Sequence, residues 1–175
     1  GYTMQHHQFE CIGLEGYADI QEEIHSLLYR SFFYYDYPFM QAIEEAVVNA
    51  AQYSADACSA RILIAMRVMT RNIAVTVACQ TKVFDAIAFQ QKLKQLMNDP
   101  VTKEMDWGAY IRQIDAAAGI WYMLTGSEYL CMDAHGQSVT IVTRRAQPIQ
   151  IDTPETRIGL LAPRFLVQQD GVIFS

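Results

Sequence analysis

The chain has 175 residues, 51% of them hydrophobic and 18% charged, with a formal net charge of −6. A composition this apolar excludes a disordered chain, and the length suits one domain with a buried core. The acidic balance argues against a general nucleic-acid binder, which needs a basic face, but leaves room for a local basic patch around an anionic ligand.

Phe9, Cys11 and Gly13 alternate with Gln8, Glu10 and Ile12, which predicts a short strand over 8–14. Asp19 reads as the N-cap of a helix over 20–33, with Glu22 three residues on and Ile24, Leu27, Leu28 and Phe32 as its apolar face. The aromatic run 32–39, FFYYDYPF, ends that helix, because Pro38 turns Tyr37 away from helical geometry. It reads as a corner of the core, with a partner-binding surface as the sharper alternative. A second helix covers 40–54, MQAIEEAVVNAAQYS, with Ile43, Ala46, Val47 and Ala50 on one face.

Two Ile- and Val-rich runs, 60–69 and 73–79, flank a polar tripeptide and predict a β-hairpin whose second strand is covered on both faces. Apolar positions 86, 89, 93 and 96 predict a helix over 86–97, opened by Asp85 as N-cap and closed by Asn98-Asp99-Pro100. A further helical pattern covers 110–124, with Gly119 inside it. Segments 128–134 and 138–144, about His135-Gly136-Gln137, make the clearest hairpin. Residues 146–175 read as a β-rich extension packed on the domain formed by 1–145, with Gln169-Asp170-Gly171 turning between two short strands. The expected fold is α+β: a two-layer α/β sandwich, its sheet mixed but mostly antiparallel, with helices on one face.

The four cysteines, Cys11, Cys58, Cys79 and Cys131, form no C-x-x-C pair and no zinc-spaced cluster with the histidines, so free thiols in a reducing compartment are expected. His6 and His7 fall in a polar leader. No apolar run reaches the roughly 20 residues that span a bilayer, and no basic-then-apolar leader opens the chain. A cytoplasmic protein without a membrane or nucleic-acid partner is expected.

Site chemistry concentrates on the 40–54 helix. Glu45 and Asn49 are four residues apart and lie one above the other. A carboxylate beside a carboxamide can hold a hard cation or place a water, and such oxygen ligands suit Mg²⁺ next to phosphates. Two simply solvated side chains would show the same spacing. Arg61, Arg67, Arg71, Arg144 and Arg145 flank strands, where basic residues are ordinarily solvated and less often approach phosphate.

The element order and the segment Glu45-Ala46-Val47-Val48-Asn49-Ala50 resemble the Bergerat ATP-binding superfamily, and within it the short stand-alone anti-sigma-factor serine kinases. The resemblance covers roughly residues 8–145. It implies a histidine-kinase-like ATPase domain in which Glu45 orients or deprotonates the nucleophile and Asn49 holds Mg²⁺. The closing histidine of the family's E-A-x-x-N-A-x-x-H box is Tyr53 here. The family's next strand ends in V-x-D-x-G-x-G-F-D; this chain has Cys79 at the adenine-reading Asp, Thr81 and Val83 at the glycines, and Phe84-Asp85 at the end. A thiol is a weak acceptor, and Thr and Val carry Cβ atoms where close backbone approach is wanted. The lid glycine corresponds to Gly119, in Ala117-Ala118-Gly119-Ile120, or to Gly108. The positions carried over for nucleotide binding are therefore Asn49, Cys79, Asp85 and Gly119.

The leading expectation is a regulatory protein resembling an anti-sigma-factor kinase that has lost much of its ATP site. It acts by binding a protein partner, a sigma factor or an anti-sigma antagonist. One alternative is an active Mg-ATP-dependent serine kinase or ATPase with divergent motifs. Another is a small-ligand-binding module or homodimer, with an apolar pocket drawn from the Tyr- and Met-rich stretches 32–40 and 121–132.

Overall fold

In the computed structural model, which describes residues 4–32, 37–111, 118–146, 156–170 and 172–174, strand β1 (Gln5–Ile12) runs directly into helix α1 (Gly13–Ser31). Gly13 makes this junction. Its φ is +65°, its N–H donates to the Ala60 carbonyl at 2.7 Å, and a Cβ there would lie 2.8 Å from the Cys58 carbonyl oxygen. Only glycine fits such a place without strain. The expected start at Asp19 is therefore wrong: Asp19 lies inside α1, and no side chain caps the helix. His6 and His7 belong to β1 rather than to a leader.

Helix α2 (Tyr37–Gln52) starts earlier than expected. Pro38 occupies its first turn, where a missing N–H costs nothing because that donor has no helical partner. Residues 33–36 of the aromatic run lie outside the described residues. The ends of the run, Phe32 and Phe39, are buried and meet edge to face at 5.7 Å, as a core corner requires.

Strands β2 (Arg61–Val68) and β3 (Asn72–Cys79) form the first predicted hairpin, and β4 (Tyr129–Asp133) and β5 (Ser138–Arg144) the second. Helix α3 (Ala86–Asn98) follows β3, capped by the Asp85 carboxylate, which accepts from the Ala88 N–H at 2.9 Å. The long helix expected over 110–124 is described as two pieces, α4 (Trp107–Ile111) and α5 (Ala118–Thr125); residues 112–117 lie outside the described residues. Beyond β5 come a short helix α6 (Ile158–Leu161) and two strands, β6 (Phe165–Gln169) and β7 (Val172–Phe174). Asp170, at φ +52°, lies in the turn predicted between them.

All seven strands belong to one open sheet in the order β1-β2-β3-β5-β4-β6-β7. Neighbours are antiparallel except β4 and β6, which run parallel. Thus the fold is α+β with a mostly antiparallel sheet, and the extension supplies its last two strands. Period-two alternation sets the core. Ile62, Ile64, Met66 and Val68 of β2 pair with Cys79, Val77, Val75 and Ile73 of β3, and all eight are buried against the helices. On the opposite face β3 presents Ala74, Thr76 and Ala78. The Thr76 hydroxyl bonds to that of Thr140 at 2.8 Å. No helix among the described residues is long and apolar enough to cross a membrane.

Arg145 locks the far end of the sheet. Its Nε donates to the Ser31 carbonyl at 2.8 Å, and a terminal nitrogen donates to that of Met69 at 3.0 Å. This arginine therefore ties the end of α1 to the β2–β3 turn. Arg145→Ala should cost about 1–2 kcal/mol in urea denaturation, because charge-assisted bonds to partly shielded carbonyls are lost.

Candidate functional site

Between α2 and the helix-covered face of the sheet lies a cavity of about 170 Å³. Its floor is Val77, Val139 and Met132, side chains that the strand register points towards the helices. Ala46, Asn49 and Ala50 of α2 form one wall, and Ile120 and Met123 of α5 another. The small alanines keep the helix backbone close to the sheet while leaving space open.

The rim is a hydrogen-bonded loop. The Lys82 N–H donates to the Tyr53 carbonyl at 2.8 Å, and the Phe84 N–H donates to that of His135 at 3.0 Å. The Gln137 carboxamide donates to the Thr81 carbonyl at 2.8 Å. Residues 81–84 are thus held from both sides, by the end of α2 and by the β4–β5 turn. Gly136 has a φ of +71°, and a Cβ there would come within 2.8 Å of the Phe84 Cβ. That glycine lets Phe84 close one end of the cavity.

Asn49 and Cys79 both line the cavity, and Gly119 lies against Asn49: a Cβ on Gly119 would fall inside the carboxamide. Of the two candidate lid glycines, only Gly119 reaches the site. Gly108 packs near Asp106 and Trp121. Among the described residues the Asn49 carboxamide has no hydrogen bond. Cys79 is buried, and burial pushes its thiol above the ordinary value, which keeps it neutral. Thr81 and Val83 stand at the mouth, with Val83 largely exposed.

Asp85 does not line the cavity; its carboxylate faces the first turn of α3. Glu45 does not line it either. It is half-buried, and burial first, then the charge of neighbouring Glu44, raises its carboxyl above the ordinary 4.5. The folded chain therefore accommodates the ionised form less well than the unfolded chain does. Stability is lost as pH rises through the ordinary value towards the raised one. Glu45→Gln is expected to stabilise the protein at pH 7 by less than about 1 kcal/mol, with no gain below roughly pH 4 in thermal melts.

Glu44, which the sequence reading passes over, is the carboxylate that is held in place. One of its oxygens accepts from the Tyr17 hydroxyl at 2.8 Å and the Gln21 carboxamide at 3.0 Å, and meets His25 Nε2 at 2.7 Å. These three side chains recur every four residues on α1. That stripe of polar groups was the signal available in the sequence. It joins α1 to α2 away from the cavity.

Of the strand-flanking arginines, Arg61 pairs with Glu10, Arg144 with Glu128, and Arg145 holds backbone carbonyls. None of the five lines the cavity, and among the described residues Lys82 is the only charged side chain that does. The residues present do not fit Mg-ATP. Mg²⁺ asks for one or two carboxylates beside the phosphates, and among the described residues the lining offers two carboxamides, Asn49 and Gln137, and no carboxylate. No group of three potential metal ligands occurs among the described residues.

No protein-family model matches this chain, and no curated protein sequence matches it.

Proposed function

We propose that this chain is a regulatory protein on a Bergerat-like scaffold, resembling an anti-sigma-factor kinase, that works by binding a protein partner rather than by phosphoryl transfer. The observation that carries this reading is the lining of the cavity beside Asn49. The space is open and, among the described residues, no acidic side chain lines it; on the Bergerat reading the neutral Cys79 takes the place of the carboxylate that would grip adenine. An unpaired adenine amino group costs roughly 1–3 kcal/mol, and side chains at Thr81 and Val83 add steric cost. Together these carry a micromolar nucleotide site towards millimolar affinity. The helices and sheet that would present a partner-binding surface are unaffected by such losses. A sigma factor or its antagonist is the class of partner that the resemblance suggests.

Calorimetric titration with Mg-ATP tests this reading. The expected result is no heat of binding below millimolar nucleotide. Micromolar binding would overturn it in favour of an active kinase or ATPase. That second reading draws support from Asn49, whose carboxamide faces the cavity without a hydrogen bond among the described residues. If it holds, Asn49→Ala abolishes Mg²⁺-dependent binding.

A further inference from the structure

We propose that the cavity binds a flat aromatic carboxylate of one or two rings, ring inward and carboxylate at Lys82. This inference rests on the reading that the site no longer takes ATP, and goes beyond it by naming what the space accepts instead.

Size sets the first limit. An apolar cavity of roughly 150 Å³ is known to hold benzene, so about 170 Å³ takes a single ring or a compact pair. A base, a sugar and three phosphates together would extend well beyond it.

The walls set the second. The floor is aliphatic, and Cys79, Met123 and Met132 bring three sulfur atoms to one small space. Polarizable sulfur packs well on aromatic rings, and methionine adapts to irregular shapes. The floor between Val77 and Val139 belongs to paired strands, which offers a ring a broad surface.

The mouth sets the third. Among the described residues Lys82 is the single charge in the lining, and it has no ion pair there. Its backbone is anchored to Tyr53, and the next carbonyl back, that of Thr81, is held by Gln137. The Lys82 side chain therefore starts from an anchored backbone at the opening. One cation matches one carboxylate; a phosphate dianion would ask for more donors than the rim provides. The Asn49 carboxamide adds a donor and an acceptor within the wall.

Naphthalene-2-carboxylate is the probe, titrated into the full chain labelled at its methionine methyls. The expected result is saturable movement of the Met123 and Met132 signals, while that of Met66, buried on β2 beside β1 and outside the cavity lining, stays still. Silence up to millimolar probe, or movement confined to other methionines, overturns the proposal. Lys82→Ala should weaken naphthalene-2-carboxylate roughly two- to fivefold, as loss of one exposed ion pair does, and leave neutral naphthalene-2-carboxamide unchanged. Equal effects on both probes, or none on either, overturn the carboxylate assignment. Micromolar displacement of the probe by ATP would sink the reading beneath; silence towards the naphthalene probes, with ATP inert, sinks only this one.

Discussion

Phe165→Ala is expected to cost about 4 kcal/mol, the upper range for emptying an aromatic site in a packed core. Phe165 is 1% exposed. Its ring meets that of Phe89 edge to face at 5.2 Å, and Phe89 in turn lies 5.5 Å from Phe84 at the end of the cavity. Its backbone carbonyl also accepts from the buried Gln90 carboxamide at 3.3 Å. The residue therefore fastens β6 to α3, and α3 to the loop that rims the site. A chain of this size loses roughly 2–4 °C of Tm per kcal/mol, so the midpoint should fall by roughly 8–16 °C. Differential scanning calorimetry checks this. A single transition, shifted as a whole, is the expected form, because β6 is a strand of the same sheet. A drop under about 2 °C would mean that the extension contributes little to the core.

Gly126→Ala should cost about 3 kcal/mol, from overpacking rather than from a cavity. Gly126 is buried just after α5, and a Cβ there would fall on the carbonyl oxygen of Pro38, with the carbonyl carbon at 2.9 Å and Ala42 Cβ at 3.1 Å. The obstacle is backbone, at the start of α2, so no rotamer change relieves it. One helix must move off the other. Because Asn49 sits on α2 and Gly119 on α5, that movement also opens the wall of the cavity. Urea denaturation reads the stability. Gly119→Ala is the control for the site, since its Cβ would displace the Asn49 carboxamide, which can rotate away, rather than backbone.

Much of this fold is legible in the sequence where the signal is local. The alternation Ile62, Ile64, Met66, Val68 and the turn at His135-Gly136 mark four strands that lie at the predicted places. The apolar stripe Ile43, Ala46, Val47, Ala50 marks α2, and all four are buried. The misses are contacts distant in sequence. Asp19 and Glu22 imitate a helix start, but the true start depends on Gly13 meeting Ala60 and Cys58, some 45 residues on. The parallel pairing of β6 with β4 has no local signature either. Asn49 and Cys79, both singled out in the sequence, line the cavity, and Met123 and Met132, which also line it, fall within a stretch expected to line an apolar pocket. That Gly119 rather than Gly108 lies against Asn49, and that Glu44 is clasped, depends on how the helices pack on one another.

The parallel neighbour of β4 also shapes how the chain is made. Synthesis delivers β1 to β5 first, and domains tend to collapse as they emerge. Until residues 165–169 follow, the outer border of β4 offers bare N–H and C=O groups beside Leu130 and Met132. Such a border recruits strands from other nascent chains. The interval between the making of β4 and the arrival of β6 is therefore when this protein is most exposed to aggregation, and when a chaperone would matter most.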